Sequence, residues 1–264
     1  MRRGFPLLNQ SYPLFSWDQR HEIGHIGSKE ESLAFATTHL ISCAKQVIEK
    51  GRLFSIALSG GSTPQAIFQR LFSEHLFKAI DWSQVLFFWS DERAVPPTHP
   101  DSNFRMAMDA GLKNLPIPQT HIFRMQAERE IEKNAQAYQT HIENALHPRG
   151  RFDLVMLGVG EDGHTASLFP KTKALEEKTA LVVANQVPQK NTYRMTLTYP
   201  CIHRAKQIVI YAFGQSKASI VKKIFTENSH PLYPVSFVGT RQNKALWILD
   251  TDAATLLMSH RKTL

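Results

Sequence analysis

The stretch "LFSIALSGGSTP", residues 53–64, contains an apolar run of strand length followed by a serine, two glycines, two further hydroxyl side chains and a proline. A helical pattern of apolar residues continues from Pro64 to about Phe77. A strand, a glycine turn and a helix in this order are typical of the repeating unit of α/β proteins. Residues 53–77 therefore predict a strand that ends in a loop at the amino end of a helix.

The flanking segments continue this alternation. Upstream, Ser28 and Glu31 have the spacing of a capping box, apolar residues recur at helical spacing, and Gly51 is expected to end the helix. Downstream, we predict strands at 85–89, 152–157, 180–184, 194–198, 207–213 and 245–249, and helices at 103–113, 128–146 and 216–225. This order predicts an α/β fold with a mostly parallel central sheet and helices on both faces. Because no internal repeat or linker divides the chain, we expect residues 1–264 to form a single domain.

Composition limits the protein class. The chain has 264 residues, of which 42% are apolar, enough for an ordinary globular core. No apolar stretch reaches the roughly 18 to 20 residues that cross a bilayer, and residues 1–6 do not begin a signal peptide. We therefore expect a cytoplasmic protein without a membrane partner. Cys43 and Cys201 are far apart and belong to no CxxC motif, which favours reduced thiols in the core.

The charge is positive but dispersed. There are 31 basic and 23 acidic residues, a net charge of +8, with no run of five basic residues and no interleaved aromatic pattern. This argues against a nucleic-acid partner and suits a small anionic substrate. The 12 histidines include no HExxH motif, so we expect no metal site.

The segment "GVGEDG", residues 158–163, matches the glycine pattern of dinucleotide-binding proteins and follows a predicted strand. Three features disfavour that function. Pro170 cuts short the helix that should follow, residues 182–185 lack the carboxylate that would hold a ribose, and Glu161 and Asp162 would repel a pyrophosphate.

The same loop is a better candidate for catalysis. Asp162 and His164 are separated only by Gly163, so their side chains can lie on the same side of a bent backbone. A carboxylate beside an imidazole fixes its tautomer and raises its basicity, as a general base requires. The alternative is a structural loop in which Asp162 caps a short helix and His164 is solvated.

A phosphate site is predicted elsewhere. At the turn after the first strand, Gly60, Gly61 and Ser62 offer backbone N–H groups to an anion, with Thr63 as the helix cap and Pro64 at the first helical position. Because the Gly-Lys-Ser/Thr of a nucleotide P-loop is missing, a small monophosphate such as a sugar phosphate is favoured. The alternative is a tight turn without a ligand.

Two other predicted strands end in cationic residues. Arg93, in residues 89–96, could hold a phosphate through paired donors, or could instead form a surface ion pair with Asp91 or Glu92. Lys217 follows a later strand and suits the same phosphate role, although an exposed lysine is common in a first helical turn. Three strand ends with anion-binding residues are stronger support for a phosphate site than any one of them alone.

Together these motifs resemble the 6-phosphogluconolactonases of the glucosamine-6-phosphate isomerase/6-phosphogluconolactonase superfamily. The matching blocks span most of the chain in the order of the family: "ALSGGSTP" (57–64), "WSDERAVPPTHPDSN" (89–103), "GVGEDGHTASLFP" (158–170), "RMTLTYP" (194–200) and "FGQSKA" (213–218). The related deaminases carry tyrosine where this chain has Arg93, and they continue Asp-Gly-His with a different sequence. Both departures favour the lactonases.

The resemblance implies a Rossmann-like fold and hydrolysis of 6-phospho-D-glucono-1,5-lactone to 6-phosphogluconate in the pentose phosphate pathway, without a metal or organic cofactor. It implies His164 as the base, with Asp162 beside it. It also implies that the phosphate is held or surrounded by Gly60, Gly61, Ser62, Arg93 and Lys217, with Arg194 near the site and Asp91 and Thr63 as further candidates. A glucosamine-6-phosphate deaminase and a non-catalytic sugar-phosphate sensor remain alternatives. We expect a monomer or a homodimer.

Overall fold

The computed structural model describes residues 14–25, 27–73, 76–227 and 232–261. The strands are β1 (Leu14–Ser16), β2 (His21–His25), β3 (Phe54–Leu58), β4 (Val85–Trp89), β5 (Asp91–Arg93), β6 (Leu154–Gly158), β7 (Val182–Val187), β8 (Thr192–Leu197), β9 (Ile208–Ala212) and β10 (Ala245–Leu249). The α-helices are α1 (Lys29–Ile48), α2 (Ser62–Leu71), α3 (Asn103–Asp109), α4 (Ile131–Ala145), α5 (Tyr199–Arg204), α6 (Ala218–Thr226) and α7 (Thr251–Arg261).

The central sheet has seven strands in the order β1-β2-β10-β9-β6-β3-β4. All neighbouring strands are parallel except the edge strand β1, which runs antiparallel to β2. Every residue of β3, β4, β9 and β10 is buried, as expected for parallel strands whose two faces are both covered. The predicted α/β fold is therefore confirmed, and the parallel strands bring several loops to one edge.

A second sheet was not predicted. It has three antiparallel strands in the order β5-β8-β7. β5 is only three residues long and follows β4 after a single residue, so the sequence pattern did not separate the two strands. The prediction also missed β1, β2, α5 and α7, which are short or lack a clear apolar period. The second sheet carries two of the predicted site residues, Arg93 on β5 and Arg194 on β8.

The helix boundaries differ from the predictions at several ends. The capping box of Ser28 and Glu31 is present at the start of α1. Thr63 is not the cap of α2, however, because the helix begins at Ser62, two residues before the predicted start, and Gly61, with φ of 102°, occupies the cap position. Pro64 is consequently the third helical residue, where its missing N–H leaves no hydrogen bond unmade. α2 ends at Leu71 rather than near 77, and α3 ends at Asp109 rather than 113.

The two cysteines are free and buried, as predicted. Burial raises the pKa of Cys43 to about 12 and that of Cys201 to about 12. Cys43 lies in α1, where its thiol donates to the side-chain oxygen of Gln207 at 3.2 Å. Both thiols are therefore protonated and unreactive in the folded protein.

The buried His39 is expected to make the fold less stable in mild acid. Burial lowers the pKa of His39 from 6.5 to about 4, despite a hydrogen bond with Gln207 that raises it. The unfolded chain therefore takes up a proton between these values while the folded chain does not. This contribution to stability is fully present above pH 6.5 and is lost as the pH falls toward 4, by at most about 3 kcal/mol.

Urea unfolding at pH 7.5 and pH 4.5 measures this effect. The loss of stability between the two values should be smaller in His39→Gln than in the parent protein. The control is His141→Gln, which replaces an exposed histidine on α4 and should leave the loss unchanged. An equal loss in the parent and in His39→Gln would contradict the assignment.

Candidate active site

A cleft of about 340 Å³ lies beyond the carboxyl ends of the central strands. It is lined by Ser59, Gly60, Gly61, Asp91, Arg93, Gly158, Val159, Gly160, His164, Thr165, Ala166, Phe169, Lys190, Arg194 and Lys217. The structure thus brings together residues that are up to 158 positions apart, Ser59 to Lys217, from both sheets. Of the predicted site residues, Asp162, Ser62 and Thr63 lie beside the cleft rather than on its wall.

The loop after β6 is folded by its own backbone. The N–H of Gly160 donates to the carbonyl of His164 at 2.9 Å, and the N–H of Gly163 donates to the carbonyl of Gly160 at 3.0 Å. Gly163 has φ of 77°, a conformation that side chains disfavour. The hydroxyl of Thr165 closes the loop by donating to the carbonyl of Gly158 at 2.8 Å. These bonds hold His164 at the cleft.

His164 and Asp162 form a close pair. The distance from Nδ1 of His164 to Oδ1 of Asp162 is 2.5 Å, and the backbone N–H of His164 donates to the same oxygen at 3.1 Å. Partial burial would raise the pKa of Asp162, but the hydrogen bond to His164 and the charge of the imidazolium outweigh it and lower the pKa. An ionised Asp162 that accepts from Nδ1–H leaves Nε2 of the neutral ring as a proton acceptor.

The imidazole is also restrained from its face. The ring of His164 stacks on Phe169, with centroids 4.0 Å apart and an angle of 17° between the planes. Phe169 is buried, so the hydrogen bond at one edge and the ring at one face together limit the orientation of His164. Sequence reasoning did not assign a role to Phe169, although it lies within the block around His164.

The carboxylates of β5 do not pair with Arg93. Asp91 accepts from the hydroxyl of Ser167 at 2.7 Å and from the amide of Asn103 at 3.2 Å, which joins the loop after β6 to α3. Glu92 accepts from the backbone N–H groups of Asn103 and Phe104 at the start of α3, and its burial raises its pKa. The predicted alternative of an ion pair between Arg93 and either carboxylate is therefore wrong.

Two arginines face each other instead. Arg93 and Arg194 are directly opposite in the β5–β8 pair, an arrangement in which like charges repel. In the described part of the chain, the buried Nε of each has no hydrogen-bond partner. Burial lowers the pKa of Arg194, and the charge of Arg93 lowers it further. An anion beside this pair would relieve the repulsion and could accept from both guanidinium groups.

Lys190 is a cleft residue that the sequence analysis missed. It lies in the turn between β7 and β8 and lines the cleft with Lys217 and the two arginines. No local motif surrounds it, and only the pairing of β5 with β8 brings its turn to the ends of the central strands.

Within residues 14–25, 27–73, 76–227 and 232–261, no three His, Cys, Asp or Glu side chains are grouped to hold a metal ion. No helix among these residues is long and apolar enough to cross a bilayer.

A strand-end cleft with a histidine–carboxylate pair and four cationic side chains defines an α/β protein of the class that binds small anionic metabolites. Residues 27–247 match the family of glucosamine-6-phosphate isomerases/6-phosphogluconolactonase. The chain belongs to this family, as its motifs predicted.

Individual relatives agree with this assignment. A 6-phosphogluconolactonase of Chlamydia pneumoniae is 43% identical over 220 residues, 83% of each chain. One of Synechocystis is 38% identical over 85% of this chain and 91% of its own. Among solved structures, a 6-phosphogluconolactonase from Trypanosoma cruzi has a TM-score of 0.79 and 27% identity, covering 94% of this chain and 99% of its own.

Proposed function

We propose that the protein hydrolyses 6-phospho-D-glucono-1,5-lactone to 6-phosphogluconate. The observation that carries the proposal is that one cleft combines the His164–Asp162 pair with the facing pair of Arg93 and Arg194. The first pair suits activation of water and the second suits a bound anion. The names of the similar proteins from Chlamydia pneumoniae and Synechocystis support this substrate.

In the proposed reaction, Nε2 of His164 takes a proton from a water molecule as the water oxygen attacks C1 of the lactone. The tetrahedral intermediate collapses with cleavage of the bond from C1 to the ring oxygen, and the imidazolium returns the proton to that oxygen. Asp162 stabilises the imidazolium through the hydrogen bond at Nδ1. The new carboxylic acid then ionises.

The oxyanion of the intermediate needs hydrogen-bond donors. The N–H groups of Gly160 and Gly163 already donate within the loop, which makes them poor candidates. The guanidinium group of Arg194 lines the same cleft and is the better candidate. A lactone carbonyl is already electrophilic, so one positioned base and orientation of the substrate supply a large part of the catalysis, about 10² to 10⁴ from the base.

We propose that the phosphate of the substrate binds at the amino end of α2. The backbone N–H groups after Gly60 lie at the amino end of α2, where the helix dipole favours an anion. Gly60 packs closely against Asn103, since a Cβ added at position 60 would lie 1.9 Å from the side-chain oxygen of Asn103. Arg93 and Lys217 complete this subsite.

Removing either cation is expected to weaken substrate binding. Arg93→Met and Lys217→Met should each raise KM by about 10-fold or more with a smaller change in kcat, because each loses a charge-assisted hydrogen bond to the substrate. The control is Lys50→Met, which removes an exposed charge near the opposite end of β3. An unchanged KM in both cleft variants would contradict the phosphate subsite.

The activity itself is measured as proton release from freshly made lactone, corrected for spontaneous hydrolysis. Incubation with glucosamine 6-phosphate and a colorimetric ammonia assay tests the alternative deaminase. We expect rapid lactone hydrolysis and no ammonia. Ammonia release without lactone hydrolysis would establish the alternative deaminase. The absence of both reactions would favour a non-catalytic sugar-phosphate sensor.

A further inference from the structure

A second and larger cavity of about 650 Å³ lies at the start of α5, beside the turn 234–237. Its volume is in the range of small-molecule sites. Among the described residues, none lines both this cavity and the cleft. The proposed reaction therefore does not use it.

Aromatic rings form one part of its wall. Tyr199 and His203 are stacked with centroids 5.6 Å apart and 19° between their planes, and Phe237 lies 6.2 Å from Tyr199. The hydroxyl of Tyr199 donates to the carbonyl of Pro234 at 2.7 Å, and Nε2 of His203 donates to the carbonyl of Phe237 at 2.9 Å. Burial lowers the pKa of His203, so the ring is neutral near pH 7. These rings are held in place without a ligand.

The remaining wall is positively charged. Arg20, Lys178 and Arg204 line the cavity, and Arg20 is fixed by a 2.7 Å hydrogen bond to the carbonyl of Gly239. Glu177 is the single carboxylate among the described lining residues. Its Oε1 accepts from three backbone N–H groups, those of Lys178, Thr179 and Ala180. Hydrogen bonds within its own loop therefore already stabilise this negative charge. The cavity therefore favours an anion.

We propose that this basic aromatic cavity, defined by Arg20, Lys178, Tyr199, His203, Arg204 and Phe237, binds a nucleotide. A nucleotide combines a flat aromatic base with a phosphate. The base would stack against the fixed rings, and the phosphate would accept hydrogen bonds from the cations. Inorganic phosphate could use only the cations, and an uncharged nucleoside could use only the rings.

The cavity is joined to the loop of His164 through the segment 233–235. The N–H of Val235 donates to the carbonyl of Gly163 at 2.9 Å. Tyr233 packs against Gly163 so closely that a Cβ there would lie 2.7 Å from the Cβ of Tyr233. A nucleotide that contacts Pro234 and Phe237 would therefore further restrain Gly163, which separates Asp162 from His164. A change in the rate of lactone hydrolysis on nucleotide binding rests on the proposed function. Nucleotide binding itself does not.

Calorimetric titration with the four 5′-monophosphates AMP, GMP, CMP and UMP tests the site. We expect at least one to bind more tightly than its nucleoside and than inorganic phosphate. Arg204→Glu and Lys178→Glu reverse exposed charges at the cavity and should each raise Kd by about 10-fold or more. Lys50→Glu, the matched reversal of an exposed lysine outside the cavity, should leave Kd unchanged.

Arg93→Met distinguishes this cavity from the cleft and should retain nucleotide binding. Loss of binding in Arg93→Met with retention in Arg204→Glu would place the nucleotide in the cleft and overturn the proposal, as would the failure of all four monophosphates to bind. Hydrogen exchange of residues 158–169 measures the coupling. Slower exchange with bound nucleotide would support the coupling, and unchanged exchange would disprove it.

Discussion

Replacement of His164 by alanine is expected to lower kcat for lactone hydrolysis by about 10² or more while KM changes little. In the proposed mechanism the imidazole takes the proton of water, and in the structure its Nδ1 is engaged by Asp162 and its face by Phe169. A general base acts on the transition state and adds little to binding of the ground state, so the proposed role predicts an effect on kcat. Steady-state rates, corrected for spontaneous opening of the lactone, measure the effect.

The matched control is His141→Ala, which removes an exposed imidazole from α4 and should keep the parent kcat. Thermal unfolding of His164→Ala should show a folded protein, because the side chain is partly exposed and belongs to no strand or helix. Turnover close to that of the parent protein would remove His164 from the mechanism. A rise in KM with constant kcat would make it a binding residue instead.

Gly160→Ala is expected to cause the second large loss, with kcat lower by about 10². A Cβ at Gly160 would lie 2.1 Å from both Nδ1 and Cε1 of His164 and 2.7 Å from Oδ1 of Asp162. The imidazole must move by more than an ångström to restore ordinary contact distances, and such a displacement misaligns a general base. The backbone of Gly160 itself needs no left-handed conformation, so the effect is on the side chains.

Gly158→Ala is the control for this variant. Gly158 also lines the cleft and also lacks a left-handed conformation, but a Cβ there meets no atom within 4 Å. We expect kcat of Gly158→Ala to stay within a few-fold of the parent, with any effect of the added methyl group appearing in KM. Equal losses of kcat in the two variants would show that the loop does not tolerate any added methyl, rather than that His164 was displaced.

The local parts of the site could be predicted from the sequence. Asp162 and His164 are two residues apart, so a bent backbone is sufficient to bring their side chains together. The turn at 59–61 could be placed at a strand end because the apolar run before it and the helical pattern after it are both short-range signals. The predicted cap of α2, Thr63, lies two residues from the observed cap, Gly61. Gly61 occupies this position without a side-chain hydrogen bond, so no capping motif marks it in the sequence.

The partners of the arginines could not be predicted. Arg93 has two carboxylates as chain neighbours, and the sequence alone allowed an ion pair with either. In the folded chain Asp91 accepts from Ser167 and Asn103, and Glu92 accepts from backbone N–H groups at the start of α3, which leaves Arg93 opposite Arg194. The second sheet that sets this pairing depends on a three-residue strand, too short for a periodic signal.

The sequence by itself determined the α/β fold, the family and the positions of the Asp162–His164 loop and the glycine turn, because apolar periodicity and short motifs depend on residues that are close along the chain. Tertiary structure alone decided which side chains share the cleft. It brought Lys190 and Arg194 to the ends of the central strands, and it formed the basic aromatic cavity from segments as distant as Arg20 and Phe237. Contacts of this kind follow from strand pairing and packing across the whole chain, and no local spacing encodes them.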